Sequence, residues 1–129
     1  MMDKVLFRIE SDKSFDEVVA NIEQQVHEHK FRVLAVHDVQ ATLAEKGITR
    51  EPLKIIEVCN AAFADEALSK SINVALFMPC KYTVFPEGGK TIVNLARPSM
   101  IAEMVPDGDL SELAHNVENR LITVMEAAV

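Results

Sequence analysis

The chain places its reactive side chains at the ends of apolar runs. His37-Asp38 closes Phe31 to Val36, and Glu57-Val58-Cys59-Asn60 closes a run that begins at Leu53. Pro79-Cys80 opens the segment Cys80 to Phe85, and Arg97-Pro98 closes Thr91 to Ala96. Two cysteines and a histidine, with water or substrate as fourth ligand, suit Zn²⁺ or another thiophilic ion, so Cys59, Cys80 and His37 form a candidate metal set. Cys59 stands just ahead of a predicted helix, whose backbone N–H groups favour a thiolate; the functional reading is a reactive or metal-ligating sulfur. The bland reading makes both cysteines small core hydrophobes and His37 the organiser of a strand-to-helix turn. Glu57, flanked by Ile56 and Val58, needs a partner such as Arg97 or His37, or else it faces water or an open cavity. Arg97 could hold an anionic ligand or cap a helix.

These residues can act together only if the elements bring them to one place. Val5 to Ile9 reads as a first strand. Ser14 and Glu17 have capping-box spacing ahead of a helix from Phe15 to His29, whose stripe is Phe15, Val18, Val19, Ile22 and Val26. Phe31 to Val36 reads as a buried strand, with Asp38 capping a short helix that Gly47 ends. Leu53 to Val58 is a third strand, and Asn60 caps a helix from Ala61 to Lys70. Ile72 to Met78 is ambiguous between a helical turn and a strand. Cys80 to Phe85 and Thr91 to Ala96 form a hairpin around Pro86-Glu87-Gly88-Gly89. Asp109 and Glu112 form a second capping pair before an amphipathic helix carrying Leu110, Leu113, Ala114, Val117, Leu121 and Val124.

The expected fold class is α+β: a single domain over residues 1–129, with one mixed sheet of about five strands and amphipathic helices packed on it. The stretch from Asp38 to Pro52 is long enough for a crossover, which predicts parallel second and third strands. Both apolar strands then need cover on each face, from helices or a second subunit. If strand four runs antiparallel to strand three, His37, Cys59, Cys80 and Arg97 converge, with Asp38, Glu57 and Asn60 nearby. If it runs parallel, Cys80 and Arg97 lie at the opposite end.

Composition narrows the classes. Thirteen basic against twenty acidic residues give a net charge of −7, which disfavours a nucleic-acid partner. The 49% hydrophobic content suffices for a core and excludes disorder. No run approaches the roughly 20 apolar residues of a membrane span, and Met1 to Glu10 has no signal-peptide core, so a cytoplasmic protein with no membrane partner is expected. There is no Cys-x-x-Cys, Gly-rich phosphate loop, Gly-x-Ser-x-Gly or His-Glu-x-x-His.

Five stretches in order resemble a known family. They are Phe31-Arg32-Val33-Leu34-Ala35-Val36-His37-Asp38-Val39, Leu43-Ala44-Glu45-Lys46-Gly47, Ile55-Ile56-Glu57-Val58-Cys59-Asn60, Met78-Pro79-Cys80-Lys81 and Ala96-Arg97-Pro98. The sequence is similar over nearly its whole length to the bacterial and archaeal proteins catalogued as domain of unknown function three-hundred-and-two. It departs at Ala61, where the pattern has Pro. The resemblance implies a compact α+β domain, often dimeric, with His37, Asp38, Glu57, Cys59, Asn60, Pro79, Cys80, Arg97 and Pro98 as pattern positions. It implies no reaction and assigns no catalytic residue.

The expected function is a dimeric binding module holding a small ligand or thiophilic metal at a strand-end pocket of His37, Asp38, Glu57, Cys59, Asn60, Cys80 and Arg97. One alternative is an enzyme with a Cys59 thiolate, His37 as base and Arg97 holding an anionic substrate. Another is a structural or interaction homodimer without a ligand.

Overall fold

The computed structural model describes residues 2–129. Five strands form one sheet: β1 Leu6–Ser11, β2 Arg32–Asp38, β3 Lys54–Cys59, β4 Cys80–Glu87 and β5 Lys90–Ala96. Their spatial order is β1-β5-β4-β3-β2, and every neighbouring pair is antiparallel. The helices are α1 Met2–Val5, α2 Phe15–Glu28, α3 Val39–Ala44, α4 Ala61–Lys70, α5 Pro98–Met104 and α6 Ser111–Ala128. Ile72–Phe77 and Pro106–Gly108 are 3-10 turns. The architecture is α+β, and none of the described helices is long and apolar enough to cross a membrane.

Strand alternation builds the core. Ile56, Val58, Tyr82, Val84, Val93 and Leu95 occupy one face and are fully buried. The stripes of α2 (Val18, Ile22, Val26) and α6 (Leu121, Val124, Met125) belong to the same core cluster. Burial removes each of these aliphatic side chains from water for about 1.5–3 kcal/mol. Tyr82 brings a hydroxyl into this core, and it donates to the Leu121 carbonyl at 2.6 Å. That bond ties the centre of the sheet to the middle of α6.

Local chemistry sets most element starts as expected. The side chains of Ser14, Asp38 and Asn60 accept from Glu17, Ala41 and Phe63 N–H groups and so cap α2, α3 and α4. Gly88 and Gly89 both take positive φ, 59° and 78°, as a tight two-residue hairpin turn requires.

Four expectations are corrected. β2 and β3 are antiparallel, not parallel. The reason is that α3 makes no crossover: Val39 N–H donates to the Leu53 carbonyl at 3.0 Å, so the connection returns to the end it left. β2 is also an edge strand and not a buried one; it carries a register shift between Val33 and Ala35, and Leu34 is 51% exposed. Asp109 does not cap α6. It sits in the left-handed region at φ 48°, with Leu110 at the N-cap position and no side-chain cap bond. Finally, β1 begins one residue late behind the short α1, and α5 follows β5 at once with Pro98 in its first turn.

Tyr82→Phe keeps the ring and removes only its buried hydroxyl. It is expected to lower the unfolding free energy by about 1 kcal/mol, read from the urea midpoint with the slope unchanged. An unchanged midpoint would show that the bond to α6 contributes nothing.

Candidate functional site

Antiparallel pairing decides which strand ends meet. Val58 lies opposite Cys80, and Tyr82 lies opposite Leu95. The end of β3, the start of β4 and the end of β5 therefore share one edge, as the convergent arrangement demands. At that edge a cavity of about 90 Å³ opens between the strands and a wall of helices. Cys59 and Cys80 line it from the sheet, Phe63 and Ala67 from α4, Val74 and Phe77 from the 3-10 turn, Ile101 and Ala102 from α5, and Leu113 and Val117 from α6.

No charged side chain lines this cavity. Its polar side chain is Asn60, whose groups are already used. The Asn60 Oδ1 accepts from Phe63 N–H at 3.0 Å, and its Nδ2 donates to the Lys30 carbonyl at 2.9 Å. Arg120 stacks over the Phe63 ring at 5.3 Å but is not part of the lining.

The two thiols respond to this setting. Burial pushes Cys80 up to about 11, helped by the nearby Cys59 and opposed by Lys81. Cys59 is also raised, by burial. The expected lowering of Cys59 by the α4 N-terminus is overturned. Burial of the thiol outweighs the pull of the α4 N-terminus, where the Asn60 side chain already takes the Phe63 N–H. Both sulfurs are protonated thiols near neutral pH.

His37 does not join them. In the antiparallel register His37 lies opposite Ile55, while Cys59 lies opposite Arg32. Four residues of strand separate the two levels, about 13 Å. A shared zinc with bonds near 2–2.3 Å cannot bridge that distance. Among the described residues, no group of three or more His, Cys, Asp or Glu side chains is placed to hold a metal. His37 instead meets Glu57: Nε2 and Oε1 are 2.9 Å apart. His37 is one of the two partners expected for Glu57, the other being Arg97, and the pair lies on the sheet face turned away from α2 and α6. Asp38 stays at that far end as the α3 cap.

Arg97 reaches the correct edge but is already engaged. Its Nη1 donates to Glu118 Oε2 at 3.1 Å, its Nε donates to the Asp3 carbonyl at 2.6 Å, and its guanidinium stacks over Phe7 at 5.3 Å. Glu118 is 6% exposed and also accepts from Ser99 N–H at 3.1 Å and Ser99 Oγ at 2.7 Å. Burial by itself would raise its pKa. The Ser99 bonds and the Arg97 bond and charge outweigh that and hold the carboxyl below its ordinary 4.5. The stabilisation is therefore complete above the unfolded value and declines as pH falls toward the folded one. Glu118 borders a second, polar cleft of about 270 Å³ with Lys4, Arg97, Ser99, Glu103 and His115.

Sequence reasoning missed Glu118, Ser99 and the apolar wall. A signal for Glu118 existed: a carboxylate directly follows Val117 and stands three residues before Leu121 within the buried stripe of α6.

Comparisons with known proteins support the family and the fold. The family model described as "Domain of unknown function DUF302" matches residues 7–128. A solved structure of an uncharacterized conserved DUF302 protein from Bacillus stearothermophilus is 29% identical, with a TM-score of 0.91 over 97% of this chain and 98% of that one. No curated protein matches.

Iodoacetamide labelling followed across pH tests the thiol environment. In the folded protein, alkylation of Cys80 is expected to rise only near pH 11, and that of Cys59 above the ordinary thiol range. Half-maximal labelling of Cys59 below about pH 8.5 would restore the thiolate reading.

Proposed function

Starting from the fact that the chain belongs to the DUF302 family of domains without an assigned reaction, we propose that it is a binding module for a small, neutral, apolar molecule. The ligand sits in the cavity beside Cys59 and Cys80. One observation carries this reading: a cavity with an apolar lining and no charge, open at a sheet edge. Apolar cavities take up small aromatics: an engineered, enclosed void of about 150 Å³ in another protein, larger than this one, binds benzene. A carboxylate or phosphate would find no counter-charge here and would lose its hydration.

The same chemistry argues against the thiolate enzyme. Raised thiols are weak nucleophiles, His37 is a strand-length away from Cys59, and Arg97 is committed to Glu118. It also removes the His/Cys/Cys metal version of the binding site.

A second copy of the chain is the other expected partner. Ile55, Thr83 and Phe85 alternate with core residues and so lie on the sheet face turned away from α2 and α6, while β2 exposes Leu34 and Val36 at the edge. A homodimer covering these groups is expected to elute at about twice 14.3 kDa, as measured by size-exclusion chromatography with light scattering. A monomer at micromolar concentration would remove this part of the reading.

Ligand class is tested with a matched pair, toluene and benzoate, followed by amide chemical shifts. Burying about 200 Å² of apolar surface gains no more than about 5 kcal/mol, a Kd near 0.2 mM, so titration runs to millimolar ligand. Toluene is expected to shift amides of Phe63, Ala67 and Ile101, and benzoate is not. Ala67→Phe fills the cavity and is expected to abolish the toluene shifts while the rest of the spectrum stays native. Equal shifts with benzoate, or unchanged toluene binding in Ala67→Phe, would overturn the proposal.

A further inference from the structure

The sheet ends in two edge strands, and they differ. β2 closes one edge and carries the register shift between Val33 and Ala35. Such a bulge disrupts the ladder and discourages further pairing. β1 closes the other edge, and it pairs with β5 in unbroken register from Leu6 opposite Ala96 to Ser11 opposite Thr91. Arg97 N–H donates to the Val5 carbonyl at 2.8 Å, which fixes the phase of that ladder. Bonded residues alternate along an antiparallel pair, so Val5, Phe7, Ile9 and Ser11 turn their backbone groups toward β5. Leu6, Arg8 and Glu10 turn theirs outward, as a row of donors and acceptors open to another strand.

Arg8 and Glu10 are also the exposed residues of this strand, and by alternation their side chains share the face turned away from α2 and α6. Arg8 is braced there: its Nε donates to Asn94 Oδ1 at 2.9 Å, and its guanidinium stacks over Phe85 at 5.7 Å. These contacts use Nε and the guanidinium face, so the Nη groups are still available as donors. Two copies set antiparallel about a two-fold axis at Ile9 place Arg8 opposite the partner's Glu10, and Glu10 opposite the partner's Arg8. Opposite charges directly across a sheet stabilise the pair. The backbone phase agrees, because these are the residues whose N–H and C=O groups face outward. Moving the axis to Arg8 or to Glu10 keeps that phase but sets one of them against its own copy, like charge to like. On the other face, Ile9, which packs at the margin of the core, meets the partner's Ile9.

We propose that the β1 edge pairs with the β1 edge of a second copy of this chain, joining the two sheets into one, and that Arg8 and Glu10 set the register of that contact. The surface is self-complementary, so the contact is isologous and closes on itself at two copies. It is a different surface from the sheet face and the β2 edge considered above, and it does not depend on the cavity. An edge of six residues is small and its ion pairs are exposed, so the contact is weak and loosens as salt is raised.

Charge reversal tests the register. Self-association of the full chain is measured by sedimentation equilibrium for the parent, Arg8→Glu, Glu10→Arg and the double reversal, with circular dichroism to check folding. Each single reversal sets like charges across the contact and is expected to weaken self-association roughly tenfold or more. The double reversal rebuilds both ion pairs and is expected to return to within about threefold of the parent. An equimolar mixture of the two single variants is expected to associate more tightly than either alone. In the parent, the amides of Arg8 and Glu10 are expected to exchange more slowly as concentration rises, while those of Leu34 and Val36 do not change. Self-association at parental strength in both single variants, or with the Arg8 and Glu10 amides unprotected, overturns the edge contact and leaves a homodimer through the sheet face standing. Weakening in the single variants with no recovery in the double reversal or the mixture overturns the register. A monomer at every concentration removes both contacts and leaves the cavity reading untouched.

Discussion

The pairing of β3 with β4 is the constraint on which the candidate site depends. Because the two strands run in opposite directions with Val58 opposite Cys80, one strand ends where the other begins, and the chain leaves that edge into helices on both sides. The gap those helices leave is the cavity. The same antiparallel rule, applied between β2 and β3, sends His37 and Asp38 to the opposite edge. A single parallel pair in this sheet would have moved a histidine beside a cysteine and produced a different chemistry. The molecule keeps sulfur with apolar carbon at one end of the sheet and an imidazole–carboxylate pair on the opposite face.

Much of the fold was legible because local signals and burial pointed the same way. Ser14, Asp38 and Asn60 each cap the helix that the spacing behind them predicts, and the stripes of α2 and α6 form the core. What was not legible is long-range. The length of the segment between β2 and β3 permits a crossover but does not demand one, and the Val39 to Leu53 bond that closes it into a loop lies between residues with no local marker. Asp109 has the right side chain to cap α6, but its backbone is turned into the left-handed region. Of the candidate site, the sequence leaves open whether the two cysteines meet; the antiparallel alternative is the one that brings them and Asn60 to one cavity, and Glu57 meets His37, one of its two candidate partners. The charge-free lining was not legible, since it is assembled from residues of six elements that look like ordinary core positions in the chain.

The distribution of charge around the cavity explains why its pattern residues point away from acid–base or anion chemistry. Arg97, the candidate anion-holding cation, is half-buried against Phe7 and neutralised by Glu118. Removing Arg97 leaves the buried Glu118 carboxylate without its counter-charge, a loss that for fully buried pairs costs about 3–5 kcal/mol and is smaller where one partner is partly exposed. The pair therefore serves to hold α5 and the N-terminal segment on the body of the protein. Family membership and the close fold match with the Bacillus stearothermophilus protein establish the scaffold.

The contact at Gly108 bears on how this chain can change over evolutionary time. Its backbone lies against Ser71 with no room for even a methyl group. Alanine, the smallest replacement, would already push two segments apart, so the position admits drift only if residue 71 retreats first. Ser71 is itself engaged with Asp107, which links three codons into one correlated unit.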